Sequence, residues 1–80
     1  MDAHAIARRI EAAFPGAHAE VSGEEAHYSA VVTAAAFEGK TRIEQHRMIY
    51  DLFRDEMASQ EIHALALKTL TPAQARNEGP

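Results

Sequence analysis

Residues 17–33, AHAEVSGEEAHYSAVVT, decide the fold, because they hold two short extended runs separated by a turn. The runs 17–22 and 26–33 flank Gly23-Glu24-Glu25, and a β-hairpin is the economical way to join them. In the second run Tyr28, Ala30 and Val32 share one face, while His27, Ser29, Val31 and Thr33 share the other. The first set suits a core and the second a wetter surface.

Before this hairpin, Ala3, Ile6, Ala7, Ile10, Ala13 and Phe14 recur at the spacing of an amphipathic helix, with Asp2 as its cap and Pro15-Gly16 as its stop. After it, Ala34-Ala35-Ala36 runs into Phe37-Glu38-Gly39-Lys40 and reads as a connection. Helical periodicity returns over residues 42–59, where Ile43, His46, Ile49, Tyr50, Phe53 and Met57 fall within one broad apolar arc. A last strand over 62–69 alternates Ile62, Ala64 and Ala66 against His63, Leu65 and Leu67. Thr71-Pro72 then provides a cap and first position for a short terminal helix, with fraying from Arg76 onward. The order α-β-β-α-β-α predicts an α+β domain: a three-stranded mixed sheet, its third strand parallel to the second, with the helices on one face.

Eighty residues of 46% hydrophobic content make one small domain, whose helices and strands must share a single core. The absence of cysteine excludes disulfides, thiolate zinc sites and a self-contained all-cysteine iron–sulfur site. No apolar run resembles a signal peptide or a membrane span, so a soluble, cytoplasmic protein with no membrane partner is expected. A net charge of −4 opposes broad neutralisation of nucleic-acid phosphates, and any such role must rest on a local basic patch.

The five histidines are the plentiful functional side chains. His4 and His18 suit solvated surface positions, and His46 suits a buried or half-buried one. His27 opens the second strand beside the turn, where Glu24 and Glu25 could add oxygen ligands. His63 opens the last strand, where a neutral imidazole can donate through one nitrogen and offer the other to a metal. Two histidines without cysteine fall short of the three or four ligands of a zinc site. No catalytic constellation is present in the sequence, so an enzyme is not expected. For nucleic acid, the candidates are Gly39, Lys40, Arg42 and Arg47 at the entry to the long helix, where backbone N–H groups can meet phosphate.

Phe37-Glu38-Gly39-Lys40, then Gln45-His46-Arg47-Met48-Ile49-Tyr50, then Ile62-His63-Ala64-Leu65 through Thr69, and Thr71-Pro72-Ala73-Gln74 together resemble the BolA family. The likeness runs in order over residues 21–74, and the short loop between the first two strands is similar to the IbaG-like branch. The resemblance implies a type II KH-like fold, with residues 1–76 as one BolA-like domain and 77–80 as a frayed tail. It further implies a non-enzymatic partner of monothiol glutaredoxins in iron–sulfur handling or, alternatively, a DNA-binding transcriptional regulator using Gly39, Lys40, Arg42 and Arg47. In that family the histidine matching His63 is implicated in ligating a [2Fe–2S] cluster shared with the partner. A second ligand comes from the first interstrand loop, which here holds neither histidine nor cysteine and is followed directly by His27. Ala75 stands where many members carry tryptophan. Alone, the chain is expected to be a monomer or a weak homodimer without its own cluster.

Overall fold

The computed structural model describes residues 1–78. Helix α1 spans Ala3–Ala13, strand β1 His18–Glu24 and strand β2 His27–Thr33. A single 3₁₀ turn at Ala35–Phe37 occupies the stretch expected to be a plain connection. It is followed by α2 at Arg42–Leu52, α3 at Arg54–Ala58, β3 at Ala64–Leu70 and α4 at Pro72–Asn77. The sheet order is β1-β2-β3, with β1 antiparallel and β3 parallel to the central strand. The predicted α+β architecture and mixed sheet therefore stand, and one sheet face carries the core.

That core follows the pattern of the sequence. Ile6 and Ile10 of α1 share one buried cluster with Ala19 of β1, with Tyr28, Ala30 and Val32 of β2, and with Phe37, Ile49, Phe53, Ile62 and Leu65. Full burial of such side chains stabilises by about 1.5–3 kcal/mol each. Asp2 caps α1 by accepting from the Ala5 N–H at 2.8 Å. Beyond the C-terminus of α1, Gly16 takes φ +80°, which a residue with a Cβ adopts only at a cost.

The hairpin is tighter than the sequence suggests. Glu24 pairs with His27, so the turn is Glu25-Ala26 alone, with both residues at positive φ (54° and 70°) as a type I′ turn requires. Gly23 lies inside β1 at φ +119°, where a Cβ would come within 2.2 Å of the His27 carbonyl oxygen. The glycine belongs to the pairing rather than to the turn.

The single long helix expected over 42–59 is broken at Phe53, which has φ −119° and ψ 21°. The Arg9 guanidinium explains the break. Its Nη1 donates to the Leu52 carbonyl at 3.1 Å, occupying an acceptor at the end of α2, and the same group lies 5.0 Å from the Phe53 ring centroid. The apolar arc also differs in membership. Ile43 is 71% exposed, whereas Gln45 is only 7% exposed.

Beyond the helix pair, strand β3 begins at Ala64, two residues later than expected. Ile62 and Leu65 are both buried, so the alternation is interrupted at the corner and His63 is left outside the strand and exposed. In α4 the Thr71 hydroxyl accepts from the Gln74 N–H and the Gln74 side chain accepts from the Thr71 N–H, forming a capping box. Arg76 and Asn77, expected in a frayed tail, belong to this helix, and Glu78 pairs with Lys68. Residues 79–80 of that expected tail lie outside the described residues.

Candidate functional site

The parallel pairing of β2 and β3 sets His27 opposite Ala64 and so brings His63 beside His27. The two imidazoles stack with centroids 5.5 Å apart and planes inclined by 25°. The strained turn helps to hold them. The Ala26 carbonyl accepts from the N–H groups of both His63 (2.8 Å) and Ala64 (3.0 Å), so the backbone before β3 is tied to the hairpin tip.

Each ring is exposed. His27 Nδ1 lies 2.9 Å from the Glu25 carbonyl oxygen. A carbonyl only accepts, so Nδ1 carries the proton and Nε2 of the neutral ring keeps its lone pair for a ligand. The carboxylates expected to add ligands do not converge. Among the described residues no three His, Cys, Asp or Glu side chains form a group able to hold a metal ion. With no cysteine in the chain, the site offers two imidazoles and nothing more. Two imidazole nitrogens are half the number of ligands that a [2Fe–2S] cluster takes.

The remaining histidines stay apart from this pair. His4 is exposed on α1, and His18 lies 3.8 Å from a Glu11 carboxylate oxygen and 3.9 Å from one of Glu20. His46 is half-buried on α2.

The nucleic-acid candidates are divided by the fold. Lys40 and Arg42 face a polar cleft of about 550 Å³ also lined by His46 and Lys68, whereas Gly39 and Arg47 do not line it. The expected presentation of backbone N–H groups at Gly39 is reduced by capping. The Lys40 N–H donates to Phe37 O, the Glu44 N–H to Thr41 Oγ1 and the Thr41 N–H to Glu44 Oε1. Hydrogen bonds from Thr41 hold the Glu44 carboxyl below its ordinary pKa, aided by Lys40 and Arg47, so a negative charge already sits at the helix start.

Sequence reasoning missed Gln45. Its Nε2 donates to the carbonyls of Phe37 (3.0 Å) and Lys40 (3.1 Å), and its Oε1 accepts from the Thr69 hydroxyl. One amide thereby fixes the loop that carries Gly39 and Lys40. The available signal was a polar residue beside the apolar arc, and periodicity alone cannot mark it as buried.

Fold and site together define a small α+β domain with helices on one sheet face and an exposed imidazole pair at one end of its parallel strands. The family model for BolA-like protein matches residues 4–74, and the chain belongs to the BolA family. It is 38% identical over 61 residues to BolA-like protein 1 of Mus musculus, covering 76% of this chain and 44% of that protein. It is 36% identical over 63 residues to the DNA-binding transcriptional regulator BolA of Haemophilus influenzae, covering 76% of this chain and 60% of that one. The chain thus spans about half the length of these curated relatives. A bolA protein homologue from Coxiella burnetii has a similar structure, with a TM-score of 0.82 and 35% identity over 95% of this chain and 97% of that one. Among the described residues no helix is long and apolar enough to cross a membrane.

Proposed function

We propose that the chain is a non-enzymatic adaptor that pairs with a monothiol glutaredoxin and contributes His63 and His27 to a shared [2Fe–2S] cluster. The observation that carries this reading is the stacking of two exposed imidazoles, His27 with its Nδ1 proton committed to the Glu25 carbonyl. Two nitrogen donors and no thiolate require a partner that brings the remaining ligands. When bound, the cluster would supply one-electron redox capacity, and imidazole in place of thiolate raises its potential, as in Rieske centres. This chain's part is to hold its two rings side by side at the hairpin tip.

The test is to titrate the chain into a cluster-loaded monothiol glutaredoxin and follow visible circular dichroism. A new spectrum with a stoichiometric complex is expected. A spectrum equal to the sum of the components, with no complex, would sink the proposal.

The alternative, a DNA-binding transcriptional regulator using Gly39, Lys40, Arg42 and Arg47, draws on the printed name of the Haemophilus relative. The capped helix start and the separation of Arg47 from the cleft weigh against it. It would require duplex binding whose log–log salt slope flattens by about one unit for each phosphate contact removed.

A further inference from the structure

The cleft at the other end of β3 takes in Lys40 and Arg42 of the alternative reading but neither Gly39 nor Arg47. Lys40 from the loop, Arg42 and His46 from α2, and Lys68 from β3 converge on it, with Gln74 and Glu78 along its rim. Ala64 beside the histidine pair and Thr69 beside the cleft are five strand positions apart, about 16 Å at ~3.3 Å per residue. The two sites are therefore separate. We propose that this cleft binds a compact polyphosphate-bearing small molecule and that the Glu78 carboxylate is its internal competitor.

Three observations point this way. First, the cations come from three elements and face one space of about 550 Å³, within the range of small-molecule pockets rather than along an extended track. Among the described residues, neither Lys40 nor Arg42 has a carboxylate within salt-bridge distance, and the Glu44 carboxylate, whose pKa Lys40 helps to lower, is the nearby negative charge that an incoming anion must outcompete. Second, a carboxylate already sits at the rim: Glu78 Oε1 lies 2.7 Å from Lys68 Nζ. Phosphoryl oxygens would make the same charge-assisted contact with Lys68 and add contacts to Lys40 and Arg42. Third, Gln45 anchors the walls. It binds the Lys40 carbonyl on one side and the Thr69 hydroxyl on the other, so Lys40 and Lys68 are presented from backbone that is already ordered.

Charge distinguishes a small ligand from a polymer here. The chain carries −4 overall, which repels a long polyanion lying across its surface. A compact anion that fits within the cleft meets mainly the local cations, because charges beyond about 8–10 Å are screened at moderate salt.

Sodium tripolyphosphate is the probe, titrated at constant ionic strength while backbone and side-chain amide resonances are followed. Saturable shifts confined to residues 40–46, 67–70 and 74–78 are expected. Lys40→Ala and Arg42→Ala should each weaken binding roughly tenfold, as the loss of one charged hydrogen bond of ~1.5 kcal/mol implies. Glu78→Gln should tighten it several-fold, while Arg54→Ala and His63→Ala leave it unchanged. Non-saturating shifts spread equally over Arg8, Arg47 and Arg54 would overturn the proposal. So would duplex DNA that binds the chain and is not displaced by tripolyphosphate, because the cleft would then serve a nucleic-acid backbone.

Discussion

Thr69 Oγ1 donates to Gln45 Oε1 at 2.6 Å, joining β3 to α2 across 24 residues. The same buried amide satisfies the Phe37 and Lys40 carbonyls. Gln45→Leu keeps the volume but leaves two carbonyls and a hydroxyl without this partner. A loss of about 2–4 kcal/mol is expected, a large share of the ~4–12 kcal/mol available to a domain of this size. Urea denaturation of the variant measures it, and a change below about 1 kcal/mol would show that water replaces the amide without penalty.

Arg9 links α1 to the helix break, and its Nη1 lies 2.9 Å from Glu56 Oε1. The hydrogen bond from Arg9 lowers the Glu56 pKa, and the bond to Glu56 raises that of Arg9. A depressed carboxylate pKa contributes stability above the unfolded value of about 4.3, and that contribution is lost as pH falls through the folded value. The raised Arg9 value titrates only at strongly alkaline pH. Arg9→Met should lower stability at pH 7 and flatten its decline between about pH 5 and pH 3. Unfolding free energies measured at stepwise pH decide this, and parallel profiles for the two proteins would contradict it.

The Gly23 position tests the hairpin pairing. With the Tyr28 Cα at 2.9 Å and the His27 oxygen nearer still to any added Cβ, Gly23→Ala forces β1 away from β2. Destabilisation of roughly 3 kcal/mol or more is expected from such overpacking at positive φ. Thermal unfolding reports it, and an unaltered midpoint would mean that the strand slips without cost.

At the turn itself the opposite change is favourable. Ala26 holds φ 70° and Glu25 φ 54°, a conformation that costs an ordinary residue about 1–2 kcal/mol. Ala26→Gly should therefore raise stability by up to about 1 kcal/mol, offset by the glycine's greater unfolded entropy. The Ala26 carbonyl would still accept from His63 and Ala64. Equilibrium unfolding gives the sign, and destabilisation would show that the alanine methyl is itself needed.

The histidine pair makes a discriminating prediction about ligation. In the glutaredoxin titration, His63→Ala and His27→Ala should each remove the new visible dichroism, whereas His4→Ala and His46→Ala preserve it. Loss in His63→Ala alone would assign the second ligand to a group other than His27.

Much of the fold is legible because its signals are local. The period of two in β2 marks Tyr28, Ala30 and Val32 as inward-facing, and the period of 3.6 in the first helix marks Ile6 and Ile10. Thr71-Pro72 announces α4 through capping chemistry within one turn. The reading fails where a distant group intervenes. Ile43 fits the apolar arc yet is 71% exposed among the described residues, while the buried side takes an amide whose hydrogen bonds are met from elsewhere.

By itself, then, the sequence determined the order of the strands and of the helices apart from the break at Phe53, the mixed sheet and the lack of any thiolate ligand, and its motifs carried the resemblance to the BolA family. Periodicity, capping and composition act over a few residues and need no knowledge of what lies opposite. Only the tertiary structure decided that His27 and His63 stack, that Arg9 ends α2 from 43 residues away, and that Lys40, Arg42 and Lys68 share one cleft without Arg47. Each depends on the register of β2 with β3 or on packing across the sheet face, and those contacts form between residues that no local pattern connects.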